Sequence, residues 1–231
     1  TFFSRWSIST IRLSPVTSST ILSSKLVISH LGLVDYLPTW ELQRSIQEKV
    51  IADEVPNTLL MLEHNSVYTA GRRTEEQDKP FDGTPVISTD RGGKITWHGP
   101  GQLIGYPIVK LKNRNDVVGF VREIENSLIS ALLEIGIKSE RYCERSGVWL
   151  RDGKGDRKIA AIGIRVAKGV TMHGFSLNVN PDLSFFSRIN PCGFTDSGVT
   201  SISNELGKEV TISEVSPIVE KYVSEGLARI S

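Results

Sequence analysis

Apolar side chains recur at helical spacing in two long stretches of the chain. Between Asp35 and Ala52, Leu42, Ile46 and Val50 follow one another at four-residue intervals, which places them on one helical face. The spacing predicts an amphipathic helix there, with Asp35 as its N-cap. A capping-box pattern at Thr211 to Glu214 predicts the start of another helix that runs to about Arg229.

The strongest helical pattern spans Asp116 to Ile135. Asp116 is a suitable N-cap, and Gly136 is a suitable residue to end the helix. The apolar stripe expected to face the core consists of Val117, Val121, Ile124, Leu128, Leu132 and Ile135.

Short apolar runs bounded by glycine and proline predict strands. The predicted strands are 26–28, 59–62, several short ones within 84–107, then 147–150, 158–166 and 170–179. Because strands and helices do not alternate strictly, the pattern favours an α/β (α+β) single domain with a mixed β-sheet flanked by helices. The stretch from Asp152 to Asp156 is expected to be a hairpin turn; a metal loop is the alternative, although the further acidic ligands of a calcium loop are missing downstream.

Composition and charge argue against several classes of protein. The chain has 231 residues, of which 39% are hydrophobic and 23% charged, and its formal net charge is +1. Its longest apolar stretches have about seven residues, whereas a membrane-spanning helix needs about 20. The absence of a polybasic block gives no electrostatic support for nucleic-acid or membrane binding. Two cysteines cannot build a disulfide-dense secreted scaffold.

The first 34 residues differ from the rest of the chain. Thirteen of them are Ser or Thr, several are basic, and the first acidic residue is Asp35. We expect a flexible tail over 1–24 and a single folded domain over 25–231, which would carry any catalytic function. This tail composition suits either a flexible terminus of a cytoplasmic protein or, as the alternative, a mitochondrial transit peptide, which is rich in Arg and Ser and poor in acids.

The segment from Arg91 to Gln102 is the first candidate for chemistry. It holds four glycines, a proline, a histidine and two cations. Glycine lets backbone approach a ligand closely, but a glycine-rich corner of a sheet would have the same composition. A dinucleotide fingerprint fits poorly because Ile104 occupies the third glycine position, and no Gly-Lys-Ser/Thr follows to make a P-loop.

Two further residues are candidates for catalysis. Lys158 opens an apolar strand, where it is either a solvated edge charge or an acid/base whose pKa is lowered by burial and nearby cations. Cys192 lies between Pro191 and Gly193, as a loop nucleophile or an inert thiol. Cys143 has an acidic neighbour and is the poorer nucleophile.

Other uses of these groups stay open on local sequence. His98 or His173 could pair with Cys192 as in a Cys–His hydrolase. A zinc site is weakly supported because the histidines and cysteines lack close paired spacing.

Taken together, several segments resemble a known family. They are Leu62-Glu-His64, Tyr68-Thr-Ala-Gly71, the run from Arg91 to Pro107, Ser146-Gly-Val-Trp149, Lys158 to Gly163, Met172 to Asn178 and Pro191-Cys-Gly193. In this order they resemble the signature of the lipoyl (octanoyl)-[acyl-carrier-protein]:protein N-lipoyltransferases, from about Lys25 to the C-terminus.

This resemblance implies a lipoate/biotin protein ligase-like fold and an acyltransferase of lipoate biosynthesis and protein lipoylation. The implied reaction moves an octanoyl or lipoyl group from acyl carrier protein to a lysine of a lipoyl domain, with Cys192 as nucleophile through a thioester intermediate and Lys158 as acid/base. The implied substrate-binding residues are Arg91, Gly92, Gly93, Lys94, Ile95, Thr96, Trp97, His98, Ala161, Ile162, Gly163, Gly174, Phe175 and Ser176. No cofactor and no metal is implied.

The implied partners are octanoyl-acyl carrier protein as donor, and lipoyl domains of 2-oxoacid dehydrogenase E2 subunits and glycine cleavage H protein as acceptors. Since these partners are acidic as a rule, we expect a basic docking face from Arg72, Arg73, Arg91, Arg165 and Lys168. Two rival hypotheses are an ATP-dependent ligase on the same fold and a non-catalytic carrier-binding module.

Overall fold

A computed structural model of the chain describes residues 26–80, 83–142, 145–189 and 197–231. Cys192 and Cys143 lie outside the described residues. Within the described ranges the main sheet has eight strands, which are β1 Val27–Val34, β2 Thr58–His64, β6 Gln102–Ile108, β7 Glu140–Tyr142, β8 Arg145–Asp152, β9 Gly155–Ala167, β10 Val170–Asn178 and β11 Gly198–Val199. Their order is β1-β2-β6-β10-β9-β8-β7, with the short β11 added to β9.

The sheet is mixed, as the sequence predicts. β1 pairs with β2 and β11 with β9 in parallel, while the other neighbours are antiparallel. A small second sheet has the order β4-β3-β5, formed by Val86–Ser88, Val67–Ala70 and Thr96–His98. Short 3₁₀ turns cover Glu76–Asp78 and Leu183–Arg188.

Helices cover both faces of the main sheet. They are α1 Tyr36–Ile51, α2 Val117–Ile135, α3 Ile202–Leu206 and α4 Ile212–Ile230. Alternate residues of β2 enter different cores: Leu59 and Met61 pack with residues of α2 and α4, whereas Leu60 and Leu62 pack with Val50 of α1. A strand whose two faces are both covered reads as a continuous apolar run, which is why β2 is visible in the sequence.

The predicted ends of the second helix and the predicted start of the last helix are confirmed, but Val117, which was expected in the core-facing stripe of α2, is exposed at the first turn. Asp116 accepts a hydrogen bond from the Gly119 backbone N–H, and Gly136 ends α2 in the left-handed conformation with φ 99°. The capping box between Thr211 and Glu214 opens α4. In the described part of the chain, no helix combines the length and apolarity that a membrane crossing requires.

The predicted buried face of α1 is wrong in part. Leu42 is exposed, whereas Gln43 and Gln47 are buried against the sheet. The reason is hydrogen bonding to β10: the Gln47 amide donates to the Val170 carbonyl over 2.9 Å, and the Gln43 side-chain oxygen accepts from the His173 N–H over 2.9 Å. Amides that satisfy backbone groups can replace apolar contacts at a helix–sheet interface.

The hairpin prediction for Asp152 to Asp156 is confirmed. β8 ends at Asp152, β9 begins at Gly155, and the two strands pair across the turn. Both aspartates face arginines, because Asp152 pairs with Arg157 and Asp156 with Arg151. These ion pairs account for the carboxylates that suggested a metal loop.

Candidate active site

A cavity of about 310 Å³ lies along strands β6, β8, β9 and β10. Most of its residues are contributed by these strands, by the 91–96 segment and by the 3₁₀ turn at Leu183–Arg188. The volume lies at the lower end of the range for small-molecule sites. The lining residues are Tyr36, Arg73, Arg91, Gly93, Lys94, Ile95, Thr96, His98, Tyr106, Arg145, Ser146, Trp149, Lys158, Ala161, Ile162, Gly163, His173, Gly174, Phe175, Ser176, Asn178, Phe186 and Val199.

Two of the predicted binding segments form adjacent rungs of one ladder. Gly174 pairs with Gly163, Phe175 with Ile162 and Ser176 with Ala161. A side chain at Gly174 has no room, because its Cβ would lie 2.0 Å from the Gly105 carbonyl oxygen. The strands therefore approach closely, and backbone lines this part of the cavity.

The third predicted segment is 91–98, and its residues 91–95 form a strap across β9. The Gly92 N–H donates to the Ile164 carbonyl over 2.9 Å. Arg91 is buried beneath the strap, and its guanidinium donates to the carbonyls of Gly92 and Lys94 and to the carbonyl and hydroxyl oxygens of Thr69. All four of these bonds are to protein atoms, so the side chain fixes the shape of the strap.

Lys158 lies half-buried on β9 beside Trp149. Its Nζ is 4.6 Å from the centroid of the Trp149 ring, a cation–π distance. Within residues 26–80, 83–142, 145–189 and 197–231, no carboxylate forms an ion pair with Lys158. The ammonium group therefore lies against an aromatic face in the cavity wall, not in a salt bridge.

A chain of buried hydrogen bonds connects His98 to the strand that carries Lys158. His98 Nδ1 lies 3.2 Å from the Gln102 side-chain oxygen, and the Gln102 amide donates to Asn178 over 2.9 Å. Asn178 in turn donates to the Thr200 carbonyl, and the Thr200 N–H donates to the Lys158 carbonyl over 3.0 Å. Because each side-chain amide in the chain both donates and accepts, it holds two sides of the cavity in register.

Burial favours the uncharged forms of two histidine and two tyrosine side chains that lie at the cavity or against its lining. Desolvation lowers the pKa of His64 to about 4 and the pKa of His98 well below its usual value. Desolvation also raises the pKa of Tyr36 to about 12 and the pKa of Tyr106 well above its usual value. His64 Nδ1 faces the Val34 carbonyl over 2.9 Å, so that nitrogen carries the proton and the Tyr106 hydroxyl donates to Nε2 over 2.8 Å.

His173 has an unusual backbone conformation. Its φ is 60°, in the left-handed region that non-glycine residues rarely adopt. Its Nε2 lies 2.7 Å from Asp90 Oδ1, and Asp90 also pairs with Arg165. Burial lowers the pKa of His173, although the Asp90 carboxylate opposes that shift. The Asp90 contact joins the residue before the strap to β10.

The structure brings most of the predicted site residues to one cavity. Lys158 and all predicted binding residues except Gly92 and Trp97 line it. Gly92 contributes backbone to the strap, while Trp97 stacks on Phe185 with ring centroids 4.7 Å apart and donates to Ser66. Trp97 thus belongs to a small core beside the site. Cys192, the predicted nucleophile, lies outside the described residues.

Tyr36 and Asn178 also line the cavity, although no sequence pattern predicted a chemical role for either of them. Arg73, which was expected on the docking face, lines it as well. Tyr36 is the first residue of α1, and the apolar pattern of that helix predicted only which face packs against the core. Asn178 ends the segment that carries the family resemblance, and that position was the one available signal for it.

The expected basic docking face is wrong in its composition. Arg91 is 7% exposed and its guanidinium is bonded inward. Arg165 is partly buried and paired with Asp90. Arg72, Arg73 and Lys168 remain exposed, so only these three of the five residues are available to a partner.

Comparison with known proteins is consistent with this arrangement. The model of the lipoyl protein ligase A/B catalytic domain matches residues 35–224. An octanoyltransferase of Acidothermus cellulolyticus is 55% identical over 203 residues, which cover 87% of this chain and 92% of that protein.

Solved structures share the fold at low sequence identity. A bi-partite lipoate protein ligase of Thermoplasma acidophilum superposes with a TM-score of 0.65 and 15% identity, over 88% of this chain and 83% of that one. A lipoate-protein ligase A bound with ATP superposes with a TM-score of 0.61 and 13% identity, over 89% and 86%. These likenesses confirm the ligase-like fold class.

Proposed function

The chain belongs to the lipoyl protein ligase A/B catalytic domain family, and we propose that it transfers an octanoyl group from acyl carrier protein to a lipoyl-domain lysine through a thioester on Cys192. Octanoyl transfer in protein lipoylation follows from relatives that share about half of its residues over most of its length. The carrier-protein donor and the thioester route are the finer parts of the proposal.

The observation that carries the proposal is a cavity in which a group of apolar side chains lies beside Lys158. Ile95, Ile162, Phe175, Phe186 and Val199 supply apolar side chains. Burying the roughly seven methylene and methyl groups of an octanoyl chain at about 0.8 kcal/mol each contributes about 5–6 kcal/mol. This is enough to hold the acyl chain while its carbonyl reacts.

The chain around Cys192 supports its proposed role. Phe186 precedes the undescribed residues 190–196, Val199 follows them, and both line the cavity. Val199 also pairs directly with Lys158 in the sheet. The residues that flank Cys192 in sequence are therefore held at the same cavity as the proposed acid/base.

The first half-reaction requires the uncharged form of Lys158, which takes the proton of the Cys192 thiol. The thiolate attacks the donor thioester carbonyl, a new C–S bond forms, and the bond to the carrier thiol breaks. The Lys158 ammonium returns the proton to the departing carrier thiolate. The exchange of one thioester for another is nearly balanced in energy, so loading is reversible.

In the second half-reaction, the neutral lysine amine of the lipoyl domain attacks the acyl-enzyme. A C–N bond forms, the C–S bond to Cys192 breaks, and Lys158 accepts the amine proton and passes it to the Cys192 thiolate. The positive charge of Arg145, which lines the cavity, favours the oxyanion that forms in both halves.

The test is a transfer assay from octanoyl-acyl carrier protein to a lipoyl domain. We expect octanoylated lipoyl domain without ATP, and an octanoyl mass increment on Cys192 when the acceptor is omitted. Cys192→Ala and Lys158→Ala should abolish transfer, whereas Lys49→Ala, at an exposed position of α1, should not. Full activity of Cys192→Ser, or strict dependence on ATP and free octanoate, would contradict the thioester route and favour a ligase.

A further inference from the structure

Strand β8 is distorted where it reaches the cavity. Arg145 pairs with Tyr142 and Val148 with Arg141, so the two intervening residues Ser146 and Gly147 are extra relative to β7. On its other side, β8 shifts register against β9 between Val148 and Trp149. Such bulges re-aim side chains beside active sites, and here they precede Trp149, whose ring lies against Lys158.

Gly147 is the residue at which this distortion is concentrated. Its φ is 108°, and a Cβ there would lie 2.4 Å from the Ala160 carbonyl oxygen. Its backbone N–H is buried and donates to a side chain of α2, Glu125, over 2.9 Å. A buried N–H without a partner is costly, so this bond stabilises the bulge.

Glu125 is an unusual residue for its position. Its side chain is 0% exposed within α2. Oε1 accepts from the Gly147 N–H, while Oε2 pairs with Arg122 over 2.8 Å. A buried carboxylate is expensive unless both oxygens are satisfied, and a leucine would pack here more simply if the position served only the core.

We propose that Glu125 is a positioning residue for the transfer reaction: it fixes the Gly147 bulge, which holds Trp149 against Lys158. The inference rests on the function proposed above. Glu125 lies outside the cavity lining and acts through backbone, because its carboxylate reaches Gly147 and the indole two residues later contacts the Lys158 ammonium.

Two substitutions separate this role from simple stabilisation. Glu125→Gln keeps an oxygen at the same reach for Gly147 but loses the charge that pairs with Arg122. Glu125→Asp keeps the charge but is shorter by one methylene and cannot hold both contacts. The positioning role predicts that kcat of Glu125→Gln stays within about threefold of the unmodified chain, while Glu125→Asp loses at least about tenfold, since small misplacements at a reacting centre cost that much.

A double-substitution cycle provides a measurement that a merely structural role would not affect. Glu125→Asp and Trp149→Phe are combined, and kcat for octanoyl transfer is measured well below each variant's melting temperature. Both substitutions act on the same contact between Trp149 and Lys158. The kcat of the double variant should therefore lie within about threefold of the kcat of the less active single variant, instead of showing the product of the two losses. Val219→Ala, a buried change in α4 away from the cavity, is the control and should multiply with Trp149→Phe.

The outcomes are distinct. Glu125→Asp at full activity, a tenfold loss in a folded Glu125→Gln, or multiplicative losses in the cycle would overturn the positioning role while leaving octanoyl transfer intact. Absence of transfer by the unmodified chain would overturn both proposals.

Discussion

Replacing Arg91 with methionine should collapse the strap that borders the cavity. Methionine has a similar length but no donor, so it leaves the Gly92, Lys94 and Thr69 oxygens without the guanidinium. Four charge-assisted bonds at about 1.5–3 kcal/mol each give a gross loss of about 6–12 kcal/mol. Relief from burying the guanidinium offsets part of this gross loss. Since each buried oxygen that is left without a donor costs about 1–3 kcal/mol, we expect a net loss of at least about 3 kcal/mol.

Urea unfolding followed by circular dichroism measures this loss, with exposed Arg72→Met as the matched control that should change stability by at most about 0.5 kcal/mol. Arg91→Lys should recover only a minor part, because one ammonium cannot reproduce the planar fork of donors. A loss below about 1 kcal/mol for Arg91→Met would refute the strap-holding role and return Arg91 to direct substrate binding.

Three further predictions follow from buried groups. His64 has a pKa lowered to about 4 from 6.5, so the unfolded chain binds its proton more tightly and stability falls as pH drops through this window. This contributes about 2 kcal/mol between pH 7.5 and 5, and His64→Gln should flatten that part of the unfolding free-energy curve; an unchanged curve contradicts burial of a neutral ring. Gly174→Ala should cost at least about 1–3 kcal/mol by overpacking against β6, whereas Gly153→Ala, which meets nothing within 4 Å, should be neutral; equal melting temperatures would argue against the close approach. Asn178→Leu leaves the Gln102 amide and a carbonyl unpaired and should lower stability by about 2–4 kcal/mol, with thermal unfolding as the measurement and an unaltered midpoint as the contrary result.

Helix α2 could be predicted in detail because several local signals agree. Asp116 supplies the N-cap, Gly136 the left-handed end, and Ile124 and Leu128 the buried stripe. The buried face of α1 was predicted wrongly in part, because this helix packs on backbone groups of β10 that need hydrogen-bond partners from it. Gln43 satisfies one of those groups and turns inward, which displaces Leu42 to solvent. Hydropathy has no information about such a distant hydrogen-bond partner.

In the candidate site, too, local motifs predicted some residues correctly, whereas roles that depend on distant contacts could not be predicted. Motif resemblance identified Lys158 and the 161–163 and 174–176 segments, which the ladder of β9 and β10 brings together. Trp97 was included with its neighbours, yet strand alternation turns it to the opposite side, towards Phe185. The role of Glu125 depends on a backbone N–H far along the chain, and no local pattern around Glu125 indicates that contact.

All nine residues of β10 are buried, and this strand carries Gly174 to Ser176 in the middle of the sheet. Amide protons so placed exchange with solvent only when the whole domain opens, so this side of the cavity is coupled to global unfolding. The strap bears a partly exposed Gly92 and Gly93 and lies at the periphery. Evolution of a new acyl preference would therefore proceed more readily through strap residues other than the buried Arg91, where a substitution need not destabilise the entire molecule.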